Sequence, residues 1–329
     1  MFSDSYELRE KILIEPVANG ADSLRILSGY AANTMVSWHF GEIQERFGKN
    51  INIDLIIGMC GKDGLFKPVH EGFKNLMTFG QEGNESKLTC RYIIEGKPVH
   101  AKIYLWEKNG RPFTAFLGSA NYSYQAFFGM QFEAMEECEA DEACRYLDSV
   151  EPYTMYCTHP EIEDKILITK RHPKFAAVNE QAQEEELSPV SIEGLGVEKA
   201  VLSFISKRSG KTGKHSGINW GHRENRNRNE AYIPVPSDIA NSGFFPPRKV
   251  PFLALTDDGK SLILSVGQDN GKGISTPHNN SLIGEYFRNR LGLANGAYVT
   301  REDFENYGRI DIVFYKLDDE QFFMDFSKP

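Results

Sequence analysis

Apolar positions follow two rhythms along this chain, and the rhythm changes near residue 190. In the first part, Leu24 to Tyr30 is a short apolar run ending past a glycine, which predicts a strand. From Ala31 to Phe47 the residues Met35, Trp38, Ile43 and Phe47 recur at helical spacing, and Ile51 to Met59 is dense enough in β-branched residues to predict a buried strand. Strand, helix, strand implies a mainly parallel sheet. A second helix is expected over Phe66 to Phe79, with Val69, Phe73 and Met77 on one face, and Arg91 to Ile94 extends the sheet.

Around residue 100 the period falls to two. His100, Lys102 and Tyr104 share one face of a predicted strand, with Ala101, Ile103 and Leu105 on the other. Phe113 to Leu117 reads as its antiparallel partner, reached through a Lys108-Asn109-Gly110 turn of the kind a hairpin needs. The return strand brings Ser119 and Asn121 beside the His/Lys pair. Gln131 to Met135 carries Glu133, and the acidic run Glu136 to Asp148 is expected to be a helix with a solvated outer face. From Thr158 to Val190 the pattern weakens into prolines and the polar run Gln181 to Glu186, which reads as a linker.

Beyond residue 190 short strands take over. They are expected at Ala200–Ser206, Glu230–Val235, Phe252–Leu255, Ser261–Val266 and Ile310–Tyr315, with one helix at Ser281–Leu291 behind an N-cap region Asn279-Asn280-Ser281. The organisation is therefore an α/β domain over 1–157, a linker over 158–190 and a small β-barrel with added helices over 191–329.

Composition narrows the function. The chain is 329 residues long with 40% hydrophobic residues, as expected of two globular cores. No apolar run approaches a membrane span, and MFSDSYELRE lacks the basic start and apolar block of a signal peptide, so the expectation is cytoplasmic with no membrane partner. Five cysteines (Cys60, Cys90, Cys138, Cys144, Cys157) show no CxxC and no paired-His spacing, so reduced structural thiols are expected, with no metal site and no cofactor. The net charge of −9 argues against a nucleic-acid partner until it is split. Residues 1–190 hold 19 Lys and Arg against 29 Asp and Glu, whereas 201–250 hold 9 against 3. The positive field is local.

Two features carry chemistry. His100, Lys102, Ser119 and Asn121 suit phosphoryl transfer: a neutral imidazole attacks phosphorus while an ammonium and an amide hold the non-bridging oxygens, and no metal is required. The second feature is a pair of polar stretches in the barrel, Lys207–Asn229 and Gln268–Asn280. Arg and Asn read guanine and adenine edges bidentately, and Lys and Gly suit phosphates. The candidates are Lys211, Lys214, Arg223, Asn225, Arg226, Arg228, Gln268, Asn270 and Lys272. Either stretch alone could be a solvated loop; two in one barrel, joined to a phosphoryl-transfer site, favour DNA reading.

His100-Ala-Lys102, Gly118-Ser119-Ala-Asn121 and the downstream Glu133 together resemble the HxK(x)nGSxN signature of the phospholipase D superfamily. His172-Pro173-Lys174 also fits a bare HxK, but Pro173 disfavours a central strand and no GSxN follows. Glu107 stands where the superfamily often has Asp. In the second half, WGHRENRNRNEAYIPVP, NNSLIGEYFRNRLGL and FENYGRIDIVFYKL resemble the B3-like DNA-binding domain of NgoFVII-type restriction endonucleases. The resemblance implies an α/β phospholipase D-like sandwich followed by a B3-like pseudobarrel whose two arms, here 207–228 and 268–280, clasp the major groove.

It further implies a sequence-specific, metal-independent restriction endonuclease. His100 would form a phosphohistidine, with a second His100 protonating the leaving oxygen. Lys102 and Asn121 would bind phosphoryl oxygens, Ser119 would fix the turn and Glu133 would orient the imidazole. Double-stranded DNA, a homodimer, a cognate methyltransferase and, as for some relatives, a companion ATPase are the implied partners. Two other readings are a DNA-binding regulator with an inactive phospholipase D-like domain, against which the intact His/Lys/Ser/Asn set argues, and a phospholipase, which the missing interfacial segment disfavours.

Overall fold

A computed structural model describes every residue except 2, 80–85, 130, 171–191, 193–195, 278 and 329. The chain divides into two compact units, Met1–Glu184 and Glu185–Pro329.

The first unit is built on one seven-stranded sheet. Its strands are β1 (Ser23–Ser28), β2 (Asn52–Ile57), β4 (Lys87–Ile93), β5 (Lys102–Lys108), β6 (Arg111–Gly118), β7 (Met135–Cys138) and β8 (Thr154–Tyr156), in the order β7-β6-β5-β1-β2-β4-β8. β1, β2 and β4 run parallel, as the βαβ pattern predicts, and β5 returns antiparallel beside β1. Successive side chains point to opposite faces, so β2 sends Ile53, Leu55 and Ile57 into one core and Ile56 into another. The helices Asn33–Phe47 and Lys67–Phe79 cover the first face through Met35, Val36, Ile43 and Phe73, while Ala140–Val150 covers the second through Ala143, Leu147 and Val150.

The β5–β6 hairpin turns through Asn109 (φ 53°) and Gly110 (φ 72°), the left-handed pair a two-residue loop demands. The turn pairs Lys108 with Arg111, and a one-residue bulge beside Trp106 and Glu107 then shifts the register so that Lys102 stands opposite Gly118. His100 itself precedes β5 by two residues instead of lying within it.

Two expectations need correction. Glu136 to Cys138 is strand, not helix: β7 pairs with β6 at the sheet edge, where its acidic side chains are solvated and its outer backbone bonds face water. The helix begins only at Ala140, with Asp141 and Glu142 in its first turn. Nor is the chain a linker from 158 onward. Ile162 and Ile166 are buried in the first core, and β9 (Ile168–Thr169) pairs parallel with β3 (Leu65–Phe66). The polar run 181–186 and His172-Pro173-Lys174 lie outside the described residues.

The second unit holds β10 (Lys199–Leu202), β11 (Ile233–Pro234), β12 (Pro251–Thr256), β13 (Ser261–Gly267), β14 (Gly273–Ser275), β15 (Ile312–Lys316) and β16 (Gln321–Asp325), in the order β10-β15-β16-β12-β13-β14-β11. Alternate residues of all seven, among them Leu202, Ile233, Phe252, Leu264, Ile274, Phe314 and Phe322, enter one core. A sheet that wraps a single core from one side is a pseudobarrel. The helix Ser281–Arg290 starts where the N-cap residues predict, with Asn279 Oδ1 accepting from the Ser281 amide at 3.0 Å. Two helices are additions to the single one expected: the one-turn Ser237–Ala240, and Arg301–Tyr307, which starts on a Thr300/Asp303 capping box. Strands β14 and β16 are likewise additions.

Candidate functional site

The first unit gathers its polar residues at one end of the sheet. Three segments meet there: the end of β1, the approach to β5 and the loop after β6. Gly29 marks the meeting point. A Cβ on Gly29 would lie 2.8 Å from His100 Cδ2 and 3.4 Å from Asn121 Oδ1, so only glycine lets the imidazole and the amide close in on one spot.

Lys102 Nζ lies 2.9 Å from His100 Nδ1 and 3.1 Å from Nε2, and donates to the His100 carbonyl at 2.7 Å. The imidazole is exposed while the ammonium that contacts it belongs to a buried residue. Burial pulls the Lys102 ammonium below the ordinary lysine value, and the charge of Glu133 opposes that shift. Asn121 Oδ1 accepts from the Tyr30 amide at 3.2 Å and the Ser28 hydroxyl at 3.3 Å. With its oxygen so engaged, the side chain offers its NH₂ as donor.

Ser119 donates to the Glu133 carboxylate and accepts from the Ala134 amide at 3.0 Å. Glu133 thus braces the Gly-Ser-Ala-Asn turn and biases Lys102, in place of the expected bond to the imidazole of its own chain. All five sequence-predicted residues belong to this one end of the sheet. Glu107, five residues beyond Lys102 along β5, lies roughly 17 Å away. It joins Arg25 instead (4.0 Å), in a network where Arg25 also meets Asp148 at 2.8 Å and Glu151 at 3.5 Å.

Tyr30 has no place among the predicted residues. Its ring packs edge-on to His100, with centroids 5.8 Å apart, and its hydroxyl donates to Asp63 at 2.6 Å. That bond to a carboxylate, with burial, pushes the phenol up to about 12. The only signal in the sequence is position, just after a strand end.

One metal-like grouping occurs among the described residues, invisible to a search for local spacing. Ligand atoms of His70, Glu71 and Glu163 lie within 4.8 Å of one another. Lys74 Nζ sits 3.3 Å from Glu71 and 3.7 Å from Glu163, so an ammonium already neutralises the carboxylates. No helix of the described residues is long and apolar enough to cross a membrane.

In the second unit all nine expected DNA-contact residues are exposed, on two arms. The first arm folds around a short 3-10 helix, Gly217–His222. Arg223 Nε donates to the His215 carbonyl at 2.8 Å, Arg228 donates to His222 Nδ1 at 3.1 Å, and Lys211 and Lys214 stand exposed. Asn225 takes a left-handed φ of 59°. Arg226 is engaged twice over: its guanidinium lies 3.8 Å over the Trp220 ring and pairs with Glu230. On the second arm Gln268 (φ 62°) and Asn270 (φ 70°) shape a tight turn ahead of Lys272. Arg248, which the two-stretch reading omits, reaches Asp269 of this arm at 3.6 Å.

A phospholipase D-like nuclease fold followed by a B3-like DNA-binding fold is the class these features define. Residues 6–164 match the NgoFVII restriction endonuclease N-terminal PLD domain, and residues 195–318 match the NgoFVII C-terminal B3-like DNA-binding domain. The chain belongs to the NgoFVII restriction endonuclease family. Among solved structures it is similar to NucT from Helicobacter pylori (16% identity, 47% of this chain and 96% of that one, TM-score 0.32). It is also similar to polyphosphate kinase from Porphyromonas gingivalis (11% identity, 48% of this chain and 24% of that one, TM-score 0.28). No curated protein matches the chain.

Proposed function

We propose that the chain is a type II restriction endonuclease that cuts duplex DNA at a specific sequence without metal, through a phosphohistidine on His100. The observation that carries this is that an exposed His100 and the Asn121 side chain meet at Gly29, with the Lys102 ammonium 2.9 Å from the His100 ring. A ring nitrogen of His100 attacks phosphorus, and the P–O bond to the leaving deoxyribose oxygen breaks. That oxygen takes a proton from the His100 of a second subunit. The same second imidazole then removes a proton from water, whose oxygen displaces His100 and restores it. Lys102 and the Asn121 NH₂ hold the non-bridging oxygens as charge builds.

Because the chain supplies one HxK with its GSxN, the site needs two copies in a two-fold dimer. The two arms supply the reading of DNA, by base contacts from Arg and Asn and phosphate contacts from Lys. A cognate methyltransferase, with or without a companion ATPase, would complete the restriction system.

The test is incubation with plasmid DNA and, separately, with phosphatidylcholine vesicles. Site-specific plasmid cleavage that His100→Ala abolishes is expected, with the lipid untouched. Cleavage of the lipid, or specific binding with no cleavage by the wild type, would reject the proposal.

A further inference from the structure

The first arm, although rich in glycine and charge, is not held like a solvated loop. Behind it lies Arg288, on the Ser281–Arg290 helix, whose side chain is 0% exposed. Its guanidinium donates to four main-chain carbonyls: Ile218 at 3.0 Å, Asn229 at 3.3 Å, Gly284 at 3.2 Å and Ala297 at 2.8 Å. Ile218 lies in the 3-10 helix of the arm and Asn229 at its return. Gly284 is on the helix, and Ala297 is in the segment beyond it. A planar fork with five donors is the side chain that can tie four backbone pieces at once; a lysine, with one nitrogen, cannot.

The surrounding contacts extend the tie. The buried Asn219 exchanges bonds with Val299, donating to its carbonyl at 2.7 Å and accepting from its amide at 2.9 Å. Asn229 accepts from the Gly296 amide at 2.6 Å and donates to Glu285 at 3.0 Å. Gly284 lets this happen: a Cβ there would lie 1.7 Å from the Asn229 carbonyl oxygen and 2.8 Å from Arg288 Nη1. The inner side of the arm is thus zipped to the domain by polar bonds, while Lys214, Arg223 and Arg228 face outward.

We infer that Arg288 is the positioning residue of the DNA-reading arm, holding Ile218 and Asn229 so that the outward side chains meet base edges in a fixed register. The inference rests on the proposed reading of the arm as a DNA-contact element. An arm ordered in advance spends less binding free energy on ordering, and a fixed frame lets one wrong base leave a donor unpaired. Arg288 touches no DNA, so its loss should lower selectivity more than general affinity.

The experiment uses full-length protein and two duplexes: one selected from a random pool by wild-type binding, and a scrambled duplex of equal length. Arg288→Lys keeps the charge and removes the fork, whereas Gly284→Ala keeps the fork and pushes the Asn229 carbonyl away. Both should lower the selected-to-scrambled affinity ratio about tenfold or more while changing scrambled binding by less than about threefold. Amide hydrogen exchange should accelerate over residues 213–230 and stay as in wild type over β12 and β16. An unchanged ratio in both variants, or exchange that rises as much in β12 and β16 as in the arm, would overturn the inference. Arg223→Ala and Lys214→Ala separate the premise from the inference. If they reduce the ratio and Arg288→Lys does not, positioning alone fails; if neither they nor Arg288→Lys do, the reading arm itself is wrong.

Discussion

The Ser119 hydroxyl donates to the Glu133 carboxylate, which ties the loop after β6 to the segment before β7 and leaves a negative charge acting on the buried Lys102. A hydrogen bond to a buried charged group contributes about 1.5–3 kcal/mol, so Ser119→Ala should destabilise the protein by about that much. Removing both partners should cost less than the sum of the single losses. Urea unfolding of Ser119→Ala, Glu133→Gln and the double variant measures the coupling. Additivity within about 0.5 kcal/mol would mean that the two side chains do not act as a unit.

Tyr30 should matter through its ring more than through its hydroxyl. The ring edge meets His100, while the hydroxyl is engaged by Asp63 away from the imidazole. Tyr30→Phe should leave plasmid cleavage within about threefold of wild type, whereas Tyr30→Ala, which frees the imidazole to misorient, should cost roughly tenfold or more. Equal losses in the two variants would assign the role to the hydroxyl.

His39 gives the first unit an acid-sensitive core. It is fully buried, with Nε2 2.8 Å from the Leu13 carbonyl and Nδ1 3.0 Å from the Tyr122 hydroxyl. Burial lowers it to about 4, against the bond to Leu13. Since the unfolded chain binds a proton near pH 6.5 and the folded one near 4, this group's contribution is complete above about 6.5 and is lost as the pH falls to about 4. The shift corresponds to something on the order of 3 kcal/mol. The stability difference between wild type and His39→Leu should therefore shrink on going from pH 7 to pH 4. Parallel pH curves for the two proteins would remove His39 as the source.

How much of this could be read beforehand depends on sequence distance. Lys102, Ser119 and Asn121 are legible because one hairpin brings them together, although the bulge beside Trp106 and Glu107 that sets Lys102 directly opposite Gly118 has no signal in local spacing. Tyr30 and Asp63 reach the same spot because they follow the paired parallel strands β1 and β2, and no local spacing encodes that. Nor does local spacing link Glu163 with His70. Arg288 escapes for another reason: between Phe287 and Asn289 it reads as an ordinary surface charge on a helix, and only the folded arm shows that its partners are carbonyls far along the chain. The edge strand β7 reads as helix in the sequence because solvated carboxylates look alike on either element.

Cleavage should persist in excess EDTA, because the proposed nucleophile is the His100 imidazole and the charge on phosphorus is met by Lys102 and Asn121. The rate with EDTA should match the rate without it within about twofold, since no metal-activated water is needed. Loss on chelation, restored by magnesium, would sink the phosphohistidine mechanism and turn attention to His70, Glu71 and Glu163.

The shared site makes the sharpest demand. The proposed mechanism requires two imidazoles, one to attack phosphorus and one to protonate the leaving oxygen, and each chain offers a single His100 backed by Lys102 and Asn121. In a two-fold dimer each subunit contributes this set to one centre, so a dimer of one wild-type and one His100→Ala chain keeps only half the chemistry and should be nearly inactive. Co-refolding the two chains at varied ratios, at constant total concentration, turns this into a curve. If the site is shared, activity follows the square of the wild-type fraction, and an equal mixture retains about a quarter of full activity. If each chain works alone, activity follows the fraction itself, and the same mixture retains about half. Sedimentation of wild-type protein at the assay concentration supplies the second check. A straight line, or full activity from a monomer, would show that one His100 suffices and that the proton for the leaving oxygen comes from elsewhere in the same chain.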